Sequence, residues 1–510
     1  MVSRLAESVL IPPFPGTVAP GWLLSALERG LAGVTLFAPN VAAGPAALAD
    51  LTASLREAGD HPLVAVDEEG GDVTRLWYGS GSPYPGNAAL GAVDDTGLTE
   101  RVHAFIGADL LAVGVNLDLA PCLDVLAEPS NPVVGTRSFG PSATLVARHG
   151  AAAVRGLQSA GIAACAKHFP GHGSTVEDSH EELAVVSGSL ADVRERDLPP
   201  FLAAVKAGVL TIMPGHLRVP ELTGALPASL SAPALSLLRA ELGFTGVIVT
   251  DALEMKAVSD AFGDGGGSVR ALAAGCDVMC LGRDVSEERY LAIRDAIAAA
   301  VRSGELPGER LEEASARAGA LRAELRSRRA AGSGADTGSG ARDATGASGA
   351  RTGLEAARRA LRETRQVATT TAGAVPPLGG SVVVEVEPTI NIAAGQAHWG
   401  LSGWVPPDDL HRVAAAGGTG PEASAASVVT AARGRPLIVV FRDAHRSAAT
   451  RSFVTAVLAQ RPDTVLVEMG LPYWLPPAGT YEAHLATYGA SRANTEAAAE
   501  HLGLTRPTSS

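Results

Sequence analysis

Three histidines, a lysine and two acids fall within the fourteen residues Lys167-His168-Phe169-Pro170-Gly171-His172-Gly173-Ser174-Thr175-Val176-Glu177-Asp178-Ser179-His180. Pro170, Gly171 and Gly173 forbid a continuous helix, so the segment reads as a strand end running into a loop. Asp178 and His180 are two apart, and in an extended loop both side chains project to one side. A carboxylate beside an imidazole fixes its tautomer and raises its basicity, which suits a general acid/base. The competing chemistry is a zinc site built from His168, His172, His180 and Asp178. Its His-x3-His spacing serves on a helix, and Pro and Gly break a helix here, so no metal is expected.

Three further stretches carry chemistry. In Val247-Ile248-Val249-Thr250-Asp251-Ala252-Leu253-Glu254-Met255, an apolar strand delivers Asp251. Such a carboxylate can attack an electrophilic carbon or stabilise a cation; it can equally cap a helix over 252–258. In Val64-Ala65-Val66-Asp67-Glu68-Glu69-Gly70-Gly71-Asp72-Val73-Thr74-Arg75, paired glycines let the backbone turn tightly near a ligand, and Asp67 and Arg75 can grip hydroxyls or a carbonyl. An ordinary acidic turn would look the same. In Gly135-Thr136-Arg137-Ser138-Phe139-Gly140, Arg137 is either a ligand clamp or a surface ion-pair partner.

These residues need elements to position them. Short apolar runs recur at 7–12, 33–38, 62–67, 113–121, 162–168, 209–214, 246–251 and 276–282. Helix-like stretches lie between them at 47–58, 98–112, 143–159, 197–207, 233–241 and 286–302. Eight strand–helix units over about 330 residues fit a (β/α)8 barrel of the TIM type better than an open sheet. The chemistry-bearing residues follow the ends of the runs, which in a barrel is the C-terminal mouth, where active sites form.

The 510 residues are 46% hydrophobic and 19% charged, which excludes global disorder and calls for at least two domains. Residues 331–353 are rich in Gly, Ser and Ala and read as a flexible linker. It separates a domain over 1–330 from one over 354–510. The second part opens on a basic helix over 354–366. It continues with apolar runs at 381–386, 436–441 and 464–469 and helical stretches near 447–459 and 491–502, as in a smaller α/β domain. Arg442-Asp443-Ala444-His445-Arg446 reads as a functional loop or, more simply, as a solvated strand exit, the reading preferred. The net charge of −13 argues against a nucleic-acid or anionic-membrane surface. The early residues show no apolar signal core, and the chain is expected to be cytoplasmic. Oligomeric state is not legible.

The four stretches, in this order, resemble glycoside hydrolase family 3, in particular its bacterial β-N-acetylglucosaminidases. The K-H-F-P-G-H-G-x-T-x-x-D-S-H segment is the specific one. D-x-E-G-G-x-V-x-R-L, G-x-R-S-F-G and T-D-x-L-E-M-K-A agree with it, and the match covers the first domain. The second domain is similar to the family's α/β sandwich through L-I-V-V-F-R-D-A-H-R and A-T-Y-G-x-S-R-x-N, more weakly. The resemblance implies Asp251 as nucleophile, His180 as acid/base and Asp178 as its partner. It implies Asp67, Arg75, Arg137, Lys167 and His168 as sugar-binding positions, a small-molecule carbohydrate substrate, and no cofactor. One departure is Ala252, where family members often carry a second Asp.

The chemistry so implied is retaining hydrolysis through a covalent glycosyl-enzyme, releasing terminal N-acetylglucosamine from muropeptides or chitin oligosaccharides. Histidine in place of the second carboxylate does not repel an incoming anion, so phosphorolysis is the nearest alternative. A sugar-binding protein without turnover is the alternative of another class.

Overall fold

The computed structural model describes residues 2–179, 182–283, 285–332, 339–365, 378–388, 400–414 and 420–507. Eight short strands make the barrel of the first unit: β1 (Leu10–Ile11), β2 (Gly33–Thr35), β3 (Leu63–Val66), β4 (Leu117–Asp118), β5 (Ala163–Phe169), β6 (Thr211–Pro214), β7 (Val247–Ile248) and β8 (Met279–Cys280). Seven fall inside the apolar runs, and β5 extends one residue past its run, to Phe169. β2 to β7 pair side by side in chain order, all parallel. The ring closes through three contacts. Leu10 of β1 faces Met279 of β8, Val249 bridges Val278, and the Thr35 amide donates to the Pro12 carbonyl at 3.1 Å. This is the (β/α)8 barrel the run spacing predicts.

Helices Pro45–Ala58, Thr96–Ala112, Ala143–Ser159 and Leu198–Lys206 lie between the strands, and Glu287–Ser303 follows the last of them. The amides of Leu98, Leu145 and Arg289 donate to the side chains of Asp95, Ser142 and Ser286, satisfying donors a helix start leaves orphaned. Among the described residues, no helix is long and apolar enough to cross a membrane.

Strand alternation divides the barrel's apolar residues into two cores. Val34, Val64, Val66, Ala164, Ala166, Ile212 and Ile248 pack outward against helices. Leu63, Ala65, Leu117, Leu119, Ala163, Cys165, Met213, Val247 and Val249 fill the interior. Continued two residues further, the same alternation turns Asp67, Lys167 and Asp251 inward at the mouth.

The second unit is a six-stranded sheet with β9 (Arg362–Arg365), β10 (Val382–Glu387), β11 (Leu410–Ala414), β12 (Leu437–Phe441), β13 (Val465–Glu468) and β14 (Ala483–Ala486). The order is β9-β14-β13-β12-β10-β11, parallel except for β9. One face carries Val382, Val384, Leu437, Val439 and Leu466 against helix Ala448–Leu458, which supplies Phe453, Val454 and Val457. The other carries Val383, Ile438, Val440, Val465 and Val467 against Ala498 and Ala499 of helix Arg492–His501.

Two expectations need correction here. The stretch 331–353 is not one flexible linker. It ends helix Gly308–Gly332 and enters helix Ser339–Ala360, while 333–338 lie outside the described residues. The expected helix over 354–366 likewise stops at Ala360 and gives way to β9. The small residues have a packing use there. A side chain at Gly353 would meet the Pro83 carbonyl oxygen at 2.1 Å, so Gly lets the helix lie directly on the barrel.

Candidate active site

The barrel mouth holds a cavity of about 360 Å³ whose lining includes Asp67, Arg75, Arg137, Lys167, His168 and Asp251. Six of the eight site residues expected from sequence therefore share one cavity. Asp178 is half-buried and is not in the lining, though its neighbour Ser179 is. His180 lies outside the described residues.

Lys167 organises the floor. Its Nζ donates to Asp67 Oδ1 at 2.6 Å and stands 2.9 Å from Glu69 Oε1. Glu69 also takes a two-pronged grip from Arg137, at 2.9 Å from Nε and 2.7 Å from Nη2. Arg137 is buried, which excludes the surface ion-pair reading. Burial opposes ionisation of Glu69, but Arg137 and Lys167 outweigh it and hold the carboxyl well below the usual range. Asp67 is likewise penalised by burial and held down by Lys167 and Arg75, whose Nη2 is 4.0 Å away. The floor is thus a neutralised lattice of charges with fixed donors and acceptors, as a polyhydroxylated ligand requires.

Lys167 and His168 are adjacent in β5 yet both line the cavity, against strict alternation. The register with β6 shifts between Lys167 and Phe169. His168 is held by Asp124, whose Oδ2 is 2.8 Å from Nδ1. Asp124 Oδ1 accepts the backbone amides of His168 at 3.2 Å and His172 at 2.7 Å. His172 is spent internally. Its Nδ1 lies 2.8 Å from Thr175 Oγ1 and its Nε2 2.8 Å from Ser179 Oγ, and burial pushes its pKa down to about 4. It buttresses the loop, both ring nitrogens being engaged by hydroxyls.

Asp251 Oδ1 accepts the Ala252 amide at 2.8 Å. The helix-cap reading fails, because the next helix starts at Lys256. Ala252 instead uses its carbonyl, 3.0 Å from His216 Nε2.

Glu69, Asp124 and Glu254 are site residues that sequence reasoning missed. Glu69 and Glu254 stood inside quoted motifs. Asp124 follows the β4 run, so the strand-end signal that found Asp67 was available for it too. Glu254 lines the cavity, with Oε1 accepting the Arg283 amide at 2.6 Å.

A closed parallel barrel with a charge-lined cavity at its C-terminal mouth is the architecture of a barrel enzyme acting on a small polar substrate. Residues 25–321 match the glycosyl hydrolase family 3 N-terminal domain. The chain belongs to that family, as its motifs led one to expect. It is 34% identical over 340 residues to β-hexosaminidase A of Pseudoalteromonas piscicida, an alignment covering 61% of this chain but only 56% of that protein. The solved family 3 β-N-acetylglucosaminidase of Paenibacillus sp. str. FPU-7 superposes with a TM-score of 0.83 at 29% identity, over 99% of this chain and 96% of that one. The β-N-acetylhexosaminidase of Beutenbergia cavernae DSM 12333 gives a TM-score of 0.56 at 27% identity, over 63% of this chain and 98% of its own.

Proposed function

We propose that the protein is a retaining exo-β-N-acetylglucosaminidase. Asp251 attacks the anomeric carbon while His180, partnered by Asp178, protonates the leaving oxygen. Water activated by neutral His180 then resolves the covalent glycosyl-enzyme, with net retention. Asp67, Arg75, Arg137, Lys167 and His168 hold the sugar. The substrate is a terminal N-acetylglucosamine of a muropeptide or a chitin oligosaccharide.

The observation that carries this reading is the convergence of Asp251 with the Asp67–Lys167–Glu69–Arg137 lattice in one small cavity. The lattice offers directional partners for one sugar, and the cavity volume suits a unit of that size better than a polymer cleft. The names of the relatives agree with a hexosaminide substrate.

A chromogenic N-acetyl-β-glucosaminide, assayed with and without phosphate, tests the proposal. The wild type is expected to release the chromophore at a phosphate-independent rate with initial β-configured product. Asp251→Ala should lower kcat by about 10³-fold or more. Full activity in that variant removes the nucleophile assignment. Phosphate-stimulated release of a sugar 1-phosphate replaces hydrolysis with phosphorolysis.

A further inference from the structure

We infer that Arg442, on the second unit, is a positioning residue for sugar binding: it ties together the two barrel loops that carry Arg75 and Arg137. The inference rests on the sugar-binding reading above.

The β12 exit is not the solvated loop its sequence suggests. Arg442 leaves the second sheet and its Nη2 bonds Asp72 Oδ2, with Thr136 Oγ1 at 3.1 Å. Thr136 Oγ1 itself donates to Asp72 Oδ2 at 2.7 Å. The other oxygen, Asp72 Oδ1, accepts the Ala490 amide, again from the second unit, at 2.9 Å. Asp72 is buried, and two of these three donors come from across the interface.

Both barrel partners lie one step from the cavity. Asp72 sits in the turn closed by the Glu69 amide donating to the Val73 carbonyl at 3.0 Å, and Val73 and Arg75 line the cavity. Thr136 directly precedes Arg137. A shift of Asp72 or Thr136 is therefore a shift of the sugar-gripping arginines.

The anchor is itself built to hold still. Buried Glu468, at the end of β13, accepts the amides of Asp443 at 2.7 Å and Gly470 at 2.8 Å. Asp443 takes the left-handed conformation, with φ of 49°. His445 Nε2 donates to the Pro129 carbonyl at 2.9 Å, fastening the same loop to the barrel a second time.

Asp251 and the 167–179 segment are carried by other elements, so losing Arg442 should weaken binding more than chemistry. Arg442→Ala is expected to raise KM about tenfold with kcat changed less than about threefold. It should also speed amide hydrogen exchange in 69–76 and 135–138 without speeding it in the barrel strands. Arg442→Lys, a point charge in place of the fork, should recover part of the loss. If Arg442→Ala does not fold, Thr136→Val unhooks the second loop while keeping the ion pair, and the same KM rise is expected. A wild-type-like KM in an active, folded variant overturns the inference. If the wild type fails to turn over the glucosaminide, the proposed activity falls, and exchange in the two loops decides alone. Faster exchange sustains positioning by Arg442, and unchanged exchange overturns it.

Discussion

At the scale of single residues, the site illustrates how buried charge is made tolerable by pairing. Lys167, Asp67, Glu69 and Arg137 are each costly alone in the barrel mouth, and together they form a fixed lattice. Glu68 is the contrast. Its Oε2 accepts from Thr74 Oγ1 and from the amides of Arg75 and Leu76, at 2.8 to 2.9 Å, while Oε1 has no partner among the described residues. Burial pushes its carboxyl up from 4.5 to about 7, and the three hydrogen bonds offset this only in part. A carboxyl whose pKa is higher in the folded state stabilises the fold fully below the unfolded value. That contribution is lost as pH rises through the folded value. The stability of Glu68→Gln relative to wild type should thus climb between pH 4.5 and pH 8, by at most about 3 kcal/mol. Thermal melts at several pH values check this, and parallel curves for the two proteins would contradict it.

At the scale of elements, the loop after β5 is held by its fit to its neighbours as much as by its histidines. The Gly173 carbonyl accepts the amides of Ala127 at 3.1 Å and Glu128 at 3.0 Å. A side chain at Gly173 would lie 1.9 Å from the Val125 carbonyl oxygen. Gly173→Ala must therefore lift the loop off the 125–128 segment. The expected result is a loss of about 1–3 kcal/mol in stability and a fall in kcat/KM of more than about tenfold. An unchanged rate with a lowered melting temperature would mean that the loop's fit supports the fold and not the chemistry. The motif in the sequence shows which side chains the loop brings. That Gly173 is needed for backbone approach shows only once Val125 is seen against it.

At the scale of the whole molecule, the second unit is packed onto the barrel and does not merely follow it. Leu471 and Tyr488 cover Ala88, Cys122, Leu126 and Val134 of the barrel. Arg359 pairs with Asp95 at 2.9 Å, and Arg442 and Ala490 reach Asp72. The Beutenbergia chain is matched over 98% of its own length by 63% of this one, about the extent of the barrel. This barrel has an apolar patch and a buried acid adapted to a cover. A fragment ending at residue 330 should melt lower than the full chain by about 5 °C or more while keeping barrel-like circular dichroism. Equal melting temperatures would show the cover to be dispensable for stability.

The barrel is legible in the order of residues alone, because eight apolar runs at regular spacing leave few other ways to bury them. The runs also placed Asp67, Lys167 and Asp251 at the C-terminal mouth, because each follows a strand; that they turn inward shows only in the folded barrel, since both faces of its strands are apolar. The β12 exit was misread because Arg442 in a polar run looks solvated until Asp72, 370 residues earlier, is found against it. The 331–353 stretch was misread for a related reason: Gly and Ser weaken a helix in isolation, and only the barrel surface makes the small size of a residue such as Gly353 an advantage. Which charges neutralise which, and which loops the second unit holds, are pairings between distant segments. Such pairings depend on the geometry of the folded chain and become visible only there.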